Sequence, residues 1–351
     1  AYSSAGEPSM GMKFFGARVK RVEDPALLQG LGQFVDDIRL SGALSAAFVR
    51  SPYAHARIRS INTAKARRAP GVRAVYTLTD LQAWLARRFP LILPNPAIRQ
   101  PLMPYALARD EVCYAGEAAA VVVADSRYAA EDGADLVEVE YEPLPAAADC
   151  RASLEPGAPL AHRESADNVA ARFTVGYGDV DAAFNGAPHT FRESLWQHRG
   201  GGHAIEGRAV LAAHDRTQDL LTVWSATQSP HYIKRTLVDV LGLDENQLRV
   251  IAPDVGGGFG PKGMFYAEEA VIPVCAMLVG QPVKWTEDRR EHFLCATQER
   301  DQYWDMEIAV DRQGKILGLR GSMIHDTGAY LPWGIVMPYI AATTVPGPYL
   351  I

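Results

Sequence analysis

Between Ala252 and Gly263 the chain reads Ala-Pro-Asp-Val-Gly-Gly-Gly-Phe-Gly-Pro-Lys-Gly, with four glycines, Gly256, Gly257, Gly258 and Gly260, in five residues. Glycine has no Cβ and tolerates positive φ, so such a run can bring bare backbone N–H groups against a ligand. A row of those groups makes a concavity for an anion, stronger where a helix begins just beyond. A plain turn is the alternative. Phe259, set among the glycines, favours a shaped pocket over a flexible linker. Two phosphate motifs fail here. A dinucleotide fingerprint counted from Gly256 and Gly258 meets Pro261 at its third glycine, and a P-loop needs Ser or Thr where Lys262 is followed by Gly263 and Met264.

The elements that must position this loop are legible around it. Leu248 to Ile251 reads as the strand feeding it. Upstream, a strand over Leu221 to Thr227 ends at Gln228, and Ser229-Pro230 supplies an N-cap with proline at the first helical position. The next helix carries Ile233, Leu237 and Leu241 on one face and closes at Gly242. Downstream, Phe265 to Val279 reads as an apolar helix bent or interrupted at Pro273, and Pro282 to Thr286 as a returning strand. Gln228 and the glycine loop thus both lie past strand ends, where open α/β sheets place ligands. The pattern predicts Gln228 near Phe259, its amide a neutral donor or acceptor; a surface Gln beside a helix cap is the alternative.

Earlier in the chain, strands are predicted at Leu44 to Val49, Val72 to Thr77, Ala118 to Ala124 and Val137 to Tyr141. Helices are predicted near Thr63 to Arg68, after a Thr79 cap, and after a Ser126 cap. Five prolines between residues 89 and 104 mark an irregular excursion. These elements describe a compact α+β unit over residues 1–150. A Pro/Gly/Ala-rich connector over 151–169 separates it from a second domain over 170–351, with strands at Thr174 to Tyr177, Ala209 to Ala213 and Leu220 to Ala226.

Composition narrows the class. With 48% hydrophobic and 22% charged residues the chain is an ordinary globular one. A net charge of -6 and no long basic run argue against nucleic acid. No window reaches the roughly 18 apolar residues of a membrane span. Ala1-Tyr2-Ser3-Ser4 lacks a secretory pattern, so a cytoplasmic setting is expected. Cys113, Cys150, Cys275 and Cys295 form no C-x-x-C pair, which rules against an iron–sulfur or zinc site built by this chain alone, and the nine histidines form no helical pair either.

Taken in order, these residues resemble the large, molybdenum-cofactor subunit of the xanthine dehydrogenase, aldehyde oxidase and carbon monoxide dehydrogenase family. The similarity runs through Arg21-Val22-Glu23-Asp24, Phe34 to Ile38, Arg50-Ser51-Pro52-Tyr53-Ala54-His55, Tyr114-Ala115-Gly116-Glu117 and Gly178 to Phe184. It continues through Thr227-Gln228-Ser229-Pro230, Val255 to Gly260 with Lys262, and Val283 to Arg289. The resemblance implies an α+β fold: an N-terminal α/β-hammerhead domain, then the first part of the molybdenum-cofactor-binding domain. It implies that Gln228 hydrogen-bonds an oxo ligand of molybdenum. It also implies that Gly257, Gly258, Phe259 and Gly260 line the metal's apical oxygen and the pterin, chiefly through backbone N–H groups. The resemblance further implies that the metal is held by the pterin dithiolene, with no direct ligand from this chain, and that Lys262, Gly263 and Met264 fall at the substrate pocket. The implied reaction hydroxylates an aldehyde or N-heteroaromatic carbon with oxygen from water. A glutamate serves as base, and electrons leave through 2Fe-2S clusters to FAD. The pterin is implied with or without a cytosine dinucleotide.

Two departures qualify that picture. The family's subunit is much longer, its base glutamate lies near the far end, and none of Glu206, Glu268 and Glu269 matches it. No catalytic residue is therefore expected in this chain. A split subunit is expected, with the glutamate on a second molybdopterin-binding chain beside Fe-S and FAD subunits; a shortened chain is the alternative. Xanthine-type members carry Gly-Lys-Glu after the loop, where Pro261-Lys262-Gly263 here lacks the carboxylate, so xanthine is not the expected small-molecule substrate. A carbon monoxide dehydrogenase-type subunit and a non-catalytic scaffold half remain the competing readings.

Overall fold

The computed structural model describes residues 16–351, so the reading of Ala1 to Ser4 lies outside the described residues. In chain order the strands are β1 Leu44–Arg50, β2 Ala56–Asn62, β3 Val72–Thr77, β4 Glu111–Val112, β5 Ala118–Ala124, β6 Glu138–Pro143 and β7 His189–Gln197. They continue as β8 Ala209–Asp215, β9 Leu220–Ser225, β10 Leu248–Ile251, β11 Val283–Thr286, β12 Gln302–Val310 and β13 Ile316–His325. The α-helices are α1 Asp24–Leu28, α2 Leu78–Leu85, α3 Arg127–Asp135, α4 Val180–Gly186, α5 Pro230–Leu241, α6 Ala267–Val279, α7 Arg289–Cys295 and α8 Val336–Thr344.

The largest sheet has seven strands in the order β10-β9-β8-β11-β1-β5-β3. β5, Ala-Ala-Ala-Val-Val-Val-Ala, is buried at every residue, as a strand covered on both faces must be. Apolar residues of α2, α5 and α6 pack over one face, among them Leu81, Ile233, Leu237 and Ile272. The other face is covered by Ala130 and Ala134 of α3 at one end, and by Val35, Ile38 and Leu40 at the other. Two three-stranded sheets complete the fold, β4-β2-β6 and β13-β12-β7.

The main sheet crosses the 151–169 connector. β1, β3 and β5 precede it and β8 to β11 lie beyond it, and the seam is the parallel pairing of β1 with β11, Leu44 opposite Val283. The unit over residues 1–150 therefore shares its largest sheet with strands from the second half of the chain. Several expected elements differ in the structure. Thr174 to Tyr177 forms no strand and runs instead along a large cleft. The turn near Thr63 to Arg68 is a short 3-10 helix over Ala66–Arg68. α2 is capped at Thr77, whose backbone N–H donates to Asp80 Oδ2 at 2.8 Å. Pro273 lies within an uninterrupted α6, which is buried from Glu268 to Ala276.

Candidate cofactor site

β9 and β10 run parallel, with Leu221 opposite Leu248 and Trp224 opposite Ile251. Parallel strands send their outgoing loops off the same sheet edge, which is why α5 must bridge them. Gln228, past β9, and the glycine loop, past β10, are thereby forced together. Gly260 donates its backbone N–H to Gln228 Oε1 at 2.9 Å. A Cβ added to Gly258 would stand 2.4 Å from Gln228 Cδ, so side-chain amide and main chain touch only because residue 258 is glycine.

The loop is anchored from beneath. Lys262 is 2% exposed, and its Nζ donates to Glu206 Oε2 at 2.7 Å. The same oxygen accepts the N–H of Gly256 at 2.7 Å. The Lys262 carbonyl accepts the Gln228 N–H at 2.9 Å and the Thr227 hydroxyl at 3.0 Å. Burial lowers the ammonium pKa of Lys262, and its bond to Glu206 opposes that shift. With both flanks tied down, residues 257–260 project outward. Phe259 takes a left-handed φ of 55° and is 73% exposed, a posture that strains a residue with a Cβ and leaves a large aromatic in the open. Gly202 makes room for it, since a Cβ there would lie 2.7 Å from Phe259 Cβ.

Among the described residues no acceptor meets the N–H groups of Gly257, Gly258 and Phe259, and Glu206 Oε1 is buried without a partner. A side-chain-free curve with free donors fits an anionic oxygen-bearing group. Phe259, Gly260 and Met264 also border a cleft of about 2160 Å³, whose lining includes Tyr114, Arg300 and Tyr330. Gln228, Gly257 and Gly258 stand outside that lining, as do Lys262 and Gly263. Of the three residues expected at a substrate pocket, only Met264 faces this cleft. Lys262 is committed to Glu206, and Gly263 is buried.

Behind the loop lies an ionic network that sequence reading did not assemble. Arg208 donates to Glu287 Oε1 at 2.6 and 2.8 Å and to Glu268 Oε2 at 3.2 Å, while Arg50 donates to Glu268 Oε1 at 2.7 Å and Glu291 Oε1 at 3.0 Å. His292 Nδ1 lies 2.8 Å from Glu287 Oε2. Burial would raise the Glu268 carboxyl, but Arg208 and Arg50 outweigh it and hold the pKa at about 2. Glu268 is thus a fixed anion that braces α6. A signal for part of the missed site was present: Gly200-Gly201-Gly202 is a second glycine run, and Gly202 meets the first run at Phe259.

Glu269 behaves differently. Burial pushes its pKa up to about 7, against the hydrogen bonds from the Tyr266 N–H at 2.9 Å and the Ser225 hydroxyl at 2.7 Å. Its ordinary value is 4.5, so between roughly 4.5 and 7 the folded chain holds a proton that the unfolded chain has released. Stability from this group is full below the lower value and is lost as pH rises through the upper one. Glu269→Gln, which can keep both neighbours bonded, is expected to flatten this dependence and to gain on the order of 1–3 kcal/mol over wild type near pH 8. Denaturant midpoints at about pH 5 and about pH 8 check this; equal pH slopes in the two proteins would refute it.

The description "Molybdopterin cofactor-binding domain" matches residues 161–351, more than half of the chain, and "Aldehyde oxidase and xanthine dehydrogenase, a/b hammerhead domain" matches residues 29–145. The chain belongs to this molybdopterin-binding family. It is 41% identical over 325 residues to the nicotine 6-hydroxylase large subunit of Paenarthrobacter nicotinovorans, covering 92% of this chain and 39% of that one. It is 36% identical to the carbon monoxide dehydrogenase large chain of Afipia carboxidovorans, covering 93% and 41%. The crystal structure of quinoline 2-oxidoreductase from Pseudomonas putida 86 superposes with a TM-score of 0.87 at 35% identity, over 94% of this chain and 42% of that one. The chain thus spans about two fifths of the length of these relatives. The α/β-hammerhead followed by cofactor-domain α+β architecture is the family's. Among the described residues, no helix is long and apolar enough to cross a membrane.

Proposed function

We propose that this chain is the molybdenum-cofactor-binding part of a hydroxylase. It would oxidise an aldehyde or N-heteroaromatic carbon with water as oxygen source and pass electrons through 2Fe-2S clusters to FAD on partner subunits. The observation that carries the reading is the contact of Gln228 with the bare main chain at Gly258 and Gly260. When bound, the molybdenum pyranopterin supplies two-electron redox chemistry at an oxygen-bearing centre. The Oε1 of Gln228 is already occupied by the Gly260 N–H, so its NH2 is the end left to donate to that oxygen. The N–H groups of Gly257, Gly258 and Phe259 add preorganised donors, which need no rearrangement as negative charge grows. Phe259 would shield the side of the cofactor that faces the neighbouring cleft, and Met264, on that same cleft, would offer an apolar wall to the substrate.

The base and the rest of the pocket belong, in this reading, to a second molybdopterin-binding chain. One finding supports it. The chain exposes large apolar side chains, Phe191, Leu195 and Trp196 on β7 and Met337, Tyr339 and Ile340 on α8, that ordinarily lie beneath another surface. Purification from the native host is expected to yield this chain with a second large chain, one molybdenum per pair, iron and FAD. Cytidine nucleotide released on acid hydrolysis would identify the dinucleotide pterin. A chain that purifies alone with no molybdenum would overturn the proposal and leave a scaffold role.

A further inference from the structure

A second constellation lies away from the glycine loop, on the β4-β2-β6 sheet. β2 and β4 pair antiparallel with Ala56 opposite Val112 and Arg57 opposite Glu111. That register sets His55 across from Cys113, with Glu111 two residues away on the same face of the pleat. A ring nitrogen of His55, a Glu111 carboxylate oxygen and Cys113 Sγ all lie within 4.8 Å of one another. His162, from the 151–169 connector and 2% exposed, brings Nδ1 to 3.3 Å from Cys113 Sγ. Three donors, His55, Glu111 and Cys113, therefore converge, and His162 joins them through Cys113 alone, a grouping that the lack of local Cys and His motifs does not exclude.

The far side of each ring is already committed. His55 Nδ1 lies 3.1 Å from the Pro145 carbonyl, and His162 Nε2 is hydrogen-bonded to the Ala329 carbonyl. A carbonyl only accepts, so each far nitrogen carries the proton, and in the neutral rings His55 Nε2 and His162 Nδ1 are left as lone pairs aimed inward. That is the arrangement by which outer hydrogen bonds orient metal-binding imidazoles. The Arg163 N–H likewise reaches the two Glu111 oxygens at 3.3 and 3.4 Å. His55 Nε2 stands 3.2 Å from Glu111 Oε2, a contact made good either by a second proton on the ring or by a cation held between the two.

We propose that His55, Glu111, Cys113 and His162 bind a zinc ion that pins the β2–β4 edge to the connector. The donor set is two imidazoles, one thiolate and one carboxylate, a tetrahedral N/S/O set suited to zinc. Ligand atoms about 2.0–2.3 Å from a tetrahedral zinc stand roughly 3.3–3.6 Å apart. The His55–Glu111 and Cys113–His162 separations of 3.2 and 3.3 Å are already near that spacing, and His162, which stands outside the group of three, must turn inward to complete the set. Zn²⁺ with one thiolate and one carboxylate is neutral, which suits a buried site. Binding releases the Cys113 thiol proton to solvent. All four positions are filled by protein, so the ion is structural and takes no part in oxidation. His55 and Cys113 border the large cleft, which gives the ion access.

The test uses the complex purified without chelator, with zinc and molybdenum counted together by plasma mass spectrometry. One zinc per chain is expected, and Cys113→Ser and His162→Ala are each expected to lower zinc at least about tenfold at fixed free zinc. Because either variant could also loosen the fold, cobalt(II) exchange of the wild type provides a second reading. A thiolate-to-cobalt charge-transfer band is expected there, and it should vanish when Cys113 is alkylated. Less than a tenth of an equivalent of zinc in the wild type after zinc addition would overturn the proposal. So would zinc that both variants retain, or a cobalt spectrum without the thiolate band. The cluster would then be a His55–Glu111 ion pair beside a thiol that donates to His162.

Discussion

Gly258→Val is expected to lower turnover of the assembled enzyme by about 10²-fold or more and to leave molybdenum well below one per pair of chains. A Cβ at 258 would sit 2.4 Å from Gln228 Cδ and 2.5 Å from both Cγ and Oε1, far inside any real contact. Gly258 is not among the glycines with positive φ, so valine meets no backbone strain, and the whole effect comes from close approach. Gln228 is exposed and can swing outward, which limits the stability loss to the overpacking range of about 1–3 kcal/mol. That swing breaks the Gly260 N–H to Oε1 bond and removes the amide from the place where it would meet the cofactor. The loss should therefore appear in metal content and turnover, with the melting temperature only modestly lower. Gly258→Ala should fall between. A valine variant with full molybdenum and full turnover would remove the main-chain-contact account.

Arg208→Ala carries the largest expected cost in stability, about 3–5 kcal/mol. Arg208 is 4% exposed, stacks at 3.9 Å over the Tyr266 ring and compensates two buried carboxylates, Glu268 and Glu287. Removing it strands Glu287 with His292 as its remaining titratable partner and leaves Glu268 to Arg50 alone. The acid limb of the pH profile should move as well. The folded pKa of Glu268 is depressed, so its stabilising contribution is present above its ordinary value of 4.5 and lost as pH falls toward about 2. Without Arg208 the folded pKa rises, so that contribution shrinks and its loss is complete at a higher pH. Chemical denaturation of wild type and variant from about pH 3 to pH 8 measures both effects; a midpoint shift worth under about 1 kcal/mol would mean the network is solvated. Loss of Tyr266 from its place over Arg208 would also loosen the Pro261 carbonyl that its hydroxyl holds at 2.7 Å, linking this network to the loop.

Local and periodic features are set by the sequence alone. The β9–α5–β10 unit is written in its apolar spacing, in proline at the first helical position and in Gly242 at φ 65°. Those signals place Gln228 and the glycine loop past two successive strands, and the parallel pairing of the strands brings them into contact. Glycine runs are legible for the same reason, since missing side chains are visible in one dimension. Features that depend on partners far apart in the chain emerge only on folding. Lys262 comes directly after the loop and reads as a pocket residue, but Glu206, 56 residues earlier, draws its ammonium under the loop instead. β7 is exposed at every residue and so carries no buried face to give it a period. The β1–β11 seam, the Arg208 network and the convergence of His55, Glu111, Cys113 and His162 are equally non-local. Burial and pairing across hundreds of residues create them, and no spacing along the chain encodes that distance.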